Sequence, residues 1–114
     1  AIRYASRLVG EEGELALLHV VPLALEDEDY QVMEDAIEEL REFERHSVPT
    51  GIECVRIVTS GSVYESIIRA STAGSHEVIV MGTHGRTGVQ RLLLGSVAEK
   101  VVRQSDIPVL VVPD

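Results

Sequence analysis

The sequence predicts an α/β fold, an open parallel sheet with helices on both faces. Two observations carry that expectation. Short apolar runs alternate with stretches of helical spacing along the whole chain, α, β, α, β, α, β, α, β. Three of the four runs are apolar at nearly every consecutive position, the pattern of strands covered on both faces, while residues 52–59 alternate. Strands joined through helices need crossover connections, which make them parallel neighbours.

The first helix is read at residues 1–9, where Ile2, Ala5, Leu8 and Val9 share a face and Gly10 and Gly13 mark the stop. Leu15 to Val21 is a continuous apolar run closed by Pro22, and reads as a strand. The acidic cluster Glu26-Asp27-Glu28-Asp29 suits a solvated loop feeding a helix N-terminus. A metal reading lacks the Gly and the ligand spacing of a calcium loop. Tyr30, Met33, Ile37, Leu40 and Phe43 form the stripe of a second helix, broken at residues 46–51.

Ile52 to Thr59 reads as a second strand with Cys54 as a small core residue. Ser62 with Glu65 fits a capping box for a third helix, whose buried face is Val63, Tyr64, Ile67 and Ile68 and whose end is Gly74. Val78 to Met81 is a short third strand. Ser96 with Glu99 fits a second capping box, opening a helix with Val97, Ala98, Val101 and Val102 inward. Val109 to Val112 is the last strand, stopped by Pro113.

Composition narrows the function classes. A chain of 114 residues, 45% hydrophobic and 25% charged, suits one globular domain. Nineteen acidic residues against ten basic leave a net charge of −9, which argues against a nucleic-acid binder gripping phosphates. Nine of the ten basic residues are Arg, a bias taken here as a property of the surface. No apolar run reaches the ~20 residues of a membrane span, so no membrane insertion is expected. A single cysteine cannot form an internal disulfide.

The informative stretch runs from Met81 to Ser96, MGTHGRTGVQRLLLGS, after a buried strand and before a helix. In open parallel sheets, ligands sit at the carboxyl ends of strands. Glycine there lets backbone N–H groups approach an anion, and the helix start adds unpaired donors and positive dipole. The spacing is neither a Walker A loop nor GxGxxG. Glycines that merely shape turns, with Ser96 only a cap, are the competing account.

The spacing Gly82, two residues, Gly85, nine residues, Gly95, then Ser96 resembles the nucleotide-binding pattern of the universal stress protein family. Its flanks, VIVMGTHGRTGVQRLLLGSVAEKVVRQSDIPVLVVP and LLHVV at residues 17–21, resemble the same family. The resemblance implies a sheet of order 3-2-1-4-5 in a single domain over residues 1–114, and a cytoplasmic dimer binding ATP or AMP, with Mg²⁺ accompanying ATP. It places Gly82 and Gly85 beside phosphates and ribose, Gly95, Ser96 and Val97 on the phosphates, Val20 and Met81 against adenine, and Arg86 within reach of phosphate. The edge strand Val109–Val112 is where such proteins dimerise. The family begins with a central strand and a Pro/Asp-containing loop ahead of the helix matched by residues 1–9. The domain is therefore expected to be N-terminally incomplete, with upstream residues or a partner chain supplying that strand.

No residue is assigned a catalytic role. The loop offers Thr83, His84, Arg86 and Thr87 but no Asp or Glu before Glu99, whereas phosphoryl transfer needs a carboxylate to hold the metal. His19, His46 and His76 show no metal spacing. The expected function is an adenine-nucleotide-binding stress-response sensor or regulatory domain with little or no hydrolysis. The alternatives are a dimeric scaffold of the same family that binds no nucleotide, and a slow ATPase or phosphotransferase.

Overall fold

The computed structural model describes residues 1–21, 30–83 and 94–113. Eight elements follow one another: α1 (Ile2–Val9), β1 (Glu14–Val21), α2 (Tyr30–Ser47), β2 (Glu53–Ser60), α3 (Val63–Ala73), β3 (Ile79–Gly82), α4 (Ser96–Gln104) and β4 (Val109–Val112). The predicted alternation is therefore present element for element. The strands form two parallel pairs, β1 with β2 and β3 with β4. The chain divides into two compact units, one of Ile2–Val63 and one of Tyr64–Asp114 together with Ala1.

In the unit of residues 2–63, β1 and β2 pair along their full lengths, from Glu14 opposite Glu53 to Val21 opposite Ser60. Helices α1 and α2 both touch this ladder. α1 buries two small residues, Ala5 and Ser6, at its contact face. Leu8 is 57% exposed, against expectation. It stands two residues on from Ser6, about 200° round a helix of 3.6 residues per turn. α2 buries Ala36 and Leu40, which leaves Phe43 on the margin of the stripe and exposed.

Double-sided burial of the strands is only partly reached. Leu15 and Leu17 are buried on one face of β1, while Ala16 and Leu18 on the other are half-buried. A ladder of two strands offers little area to cover both of its faces. Cys54 is likewise half-buried rather than core.

In the other unit, β3 and β4 pair from Ile79–Val109 to Gly82–Val112. The predicted third strand sits one residue further along than expected, so Gly82 belongs to the strand and not to the loop. The partner strand sets this register: the Ile79 N–H donates to the Pro108 carbonyl at 3.0 Å and the Thr83 N–H to the Val112 carbonyl at 3.1 Å. α4 packs on β4 through Ala98 and Val101, the latter fully buried. Val102, one position and about 100° further round, is exposed.

α3 ends in a Schellman turn. The His76 N–H donates to the Ser71 carbonyl at 3.2 Å and the Ser75 N–H to the Thr72 carbonyl at 3.3 Å. The left-handed residue is Ser75, at φ 55°, and not Gly74. A Cβ on Gly74 would meet the His76 ring, which would have to turn aside.

Candidate functional site

The carboxyl end of β3 and the start of α4 meet through one backbone bond. The Gly95 N–H donates to the Thr83 carbonyl at 2.7 Å. Thr83 is itself held to β4 through Val112, so the start of α4 is tied to the end of the β3–β4 pair. This places Met81, Gly82, Gly95, Ser96 and Val97 in one region of one unit. Val20 lies near the carboxyl end of β1, opposite Thr59, in the other unit. Gly85 and Arg86, with His84, Thr87 and the acidic cluster at 26–29, lie outside the described residues.

The helix start differs from the capping box that Ser96 and Glu99 suggest. Gly95 is the N-cap, at φ −67° and ψ 165°, and among the described residues no side chain caps the helix. Ser96 is therefore the first helical residue, where its hydroxyl cannot fold back onto the N3 amide as a cap does. Glu99 is displaced one position past the box and instead pairs with Arg103 at 3.2 Å. Among the described residues the first helical bond is donated by the Glu99 N–H to the Gly95 carbonyl at 3.0 Å. The N–H groups of Ser96, Val97 and Ala98 thus have no backbone acceptor there, as the first turn of a helix requires. The Gly95 N–H, by contrast, is committed to Thr83. Its angles are open to any residue, so conformation alone does not demand glycine at position 95.

Among the described residues, three N–H groups without a backbone acceptor and an exposed Ser96 hydroxyl stand together at this helix start, where the helix dipole favours negative charge. The ammonium of Lys100, the only lysine in the chain, sits 5.8 Å from the centroid of the Tyr64 ring, a cation–π contact between α4 and α3. Sequence reasoning missed both this contact and the Thr83–Gly95 bond. Neither leaves a local signal, because each joins residues far apart in the chain. Among the described residues no three His, Cys, Asp or Glu side chains gather as metal ligands, and no helix is long and apolar enough to cross a membrane.

The model of the universal stress protein family matches residues 1–113. This chain belongs to the universal stress protein family. Universal stress protein MJ0577 of Methanocaldococcus jannaschii is 32% identical over 82 residues, covering 72% of this chain and 51% of that protein. Universal stress protein MJ0531 of the same organism is 35% identical over 79 residues, 69% of this chain and 46% of its own length. The chain thus spans about half the length of these curated relatives. Among solved structures, that of MJ0577 superposes with a TM-score of 0.87 at 25% identity, covering 99% of this chain and 85% of that one. A universal stress protein from Archaeoglobus fulgidus gives a TM-score of 0.64 at 30% identity, over 98% of this chain and 38% of its own. Membership fits the parallel α/β elements described above.

Proposed function

We propose that this universal stress protein domain is an adenine-nucleotide-binding sensor or regulatory unit of a stress response, turning over its nucleotide slowly or not at all. The observation that carries the reading is the start of α4. Among the described residues no side chain caps its first-turn N–H groups, and a backbone bond pins them at the carboxyl end of β3. Ser96 and Val97 would bind phosphate oxygens through their amides, with the Ser96 hydroxyl as an added donor. Gly82 and Gly95 would contribute by leaving the approach free of Cβ atoms. Gly85 and Arg86 would complete the phosphate side, and Met81 would rest against the base. ATP brings Mg²⁺ with it, and AMP is the alternative ligand.

Dimer formation through the β4 edge belongs to the same proposal. One edge of β4 pairs with β3, and the other carries no ladder partner among the described residues.

The test is calorimetric titration of the protein with ATP and with AMP, beside the Gly95→Val variant. Valine is compatible with φ −67°, so the variant should fold. Saturable heat in the parent protein that disappears in the variant is the expected result. No heat from either nucleotide would instead favour the scaffold that binds none. Steady turnover of ATP with Mg²⁺ above ~1 per second, an ordinary enzymatic rate, would make it an enzyme.

A further inference from the structure

Lys100 sits on α4, four residues past Ser96. Residues four apart share a helix face, so the Lys100 stem and the Ser96 hydroxyl lie one above the other. A rise of 1.5 Å per residue sets Lys100 about 6 Å further along the axis. Helical side chains lean toward the N-terminus, and the long lysine stem covers that span, so its ammonium can reach the first turn of α4.

In the structure the ammonium rests elsewhere. It lies 5.8 Å from the centroid of the ring of Tyr64, at the start of α3. Tyr64 and Lys100 belong to one compact unit, and among the described residues Lys100 is in no ion pair. An exposed ammonium over a ring is held weakly, whereas its bond to a phosphate oxygen is charge-assisted. Phosphate groups brought within its reach would therefore draw it off the ring. The amides of the first turn offer donors for one phosphate group, which is all that AMP carries. The further phosphate groups of ATP extend beyond those amides and bring more negative charge.

We propose that Lys100 is the residue that makes this site prefer ATP to AMP. On binding of ATP its ammonium leaves the Tyr64 ring and pairs with the phosphate groups beyond the first. Tyr64 holds the ammonium in the free protein and so competes with the nucleotide. This assignment rests on the nucleotide reading given above, and it names what chooses between the two ligands.

The experiment uses the fact that the chain has no other lysine. Lysine labelled with 13C at its ε-carbon gives a single side-chain NMR signal. The Tyr64 ring should hold its protons upfield in the free protein. ATP should abolish that displacement, and AMP should leave it in place. Calorimetric titration of the same protein should show ATP bound more tightly than AMP. Lys100→Met should weaken ATP about tenfold, by loss of one charge-assisted bond, and leave AMP within about twofold. Lys100→Arg keeps the charge and should retain most of the affinity for ATP. Tyr64→Leu removes the competitor and should tighten ATP about twofold to fivefold, the worth of an exposed cation–π contact. A thermal melt checks that each variant is folded. Binding heat from both nucleotides with a lysine signal that ATP does not move would overturn the role of Lys100 and leave the nucleotide reading standing. So would equal affinity for ATP and AMP, equal losses for the two in Lys100→Met, or a weaker ATP complex in folded Tyr64→Leu. No heat from either nucleotide would overturn both.

Discussion

Replacing Ser96 by proline removes one backbone donor from the proposed phosphate cradle while leaving the helix intact. Ser96 is the first residue of α4, the helical position where proline is best tolerated, because its missing N–H has no intrahelical acceptor. The residue before a proline must be extended, and Gly95 already is, at φ −67° and ψ 165°. The thermal melt should therefore stay where it is. The substitution also deletes the hydroxyl, so Ser96→Ala is the matched control. The difference between the two variants isolates the amide. A hydrogen bond to a charged group contributes about 1.5–3 kcal/mol, or roughly tenfold to a hundredfold in Kd. Calorimetric titration with ATP should show Ser96→Pro weaker than Ser96→Ala by that factor. If the two variants melt alike and bind ATP alike, the Ser96 amide does not touch phosphate and the cradle argument fails.

Three further outcomes are expected. Ser75→Gly relieves a non-glycine residue held at φ 55° and should raise stability by about 0.5–1 kcal/mol, read as a higher urea midpoint at constant m. Burial, followed by the nearby Glu44 carboxylate, pushes the Cys54 thiol pKa up. That thiol contributes stability below its ordinary pKa, and the contribution is lost as pH rises through the raised value. Glu44→Gln removes a cause of the rise and also frees Arg56 from its ion pair with Glu44, so Cys54 should react faster with a disulfide reagent at pH ~8. An unchanged rate would mean that the carboxylate does not act on the thiol. Val111→Lys places a charge on the β4 edge strand and should yield monomers on size-exclusion chromatography. Dimers that persist would place the interface elsewhere.

Much of the fold was legible along the chain because its signals are local. Apolar runs such as Leu15–Val21 and Val109–Val112, punctuated by Gly and Pro, depend on neighbours within a few residues. The spacing of Gly82, Gly85, Gly95 and Ser96 is local too, and it pointed to the universal stress protein family that the match over residues 1–113 bears out. Details set by turn geometry or by how a helix seats on its strand were not legible. Ser75 rather than Gly74 took the left-handed position, since the 5→2 and 6→1 bonds back to Thr72 and Ser71 decide where the turn falls. Leu8 and Val102 satisfied helical spacing yet remained exposed, because small buried residues, Ala5 with Ser6 and Ala98, set which side of each helix meets its strand.

By itself the sequence determined the order and kind of the eight elements and the family. All of these follow from spacing and chemistry between near neighbours. Only the tertiary structure decided the register of β3 on β4, the bond from Gly95 to Thr83 that makes Gly95 and not Ser96 the N-cap, and the contact of Lys100 with Tyr64. Each joins residues separated by a dozen or more positions somewhere along its length. Such pairings are selected by the free energy of the whole packed unit, which no local stretch of residues encodes.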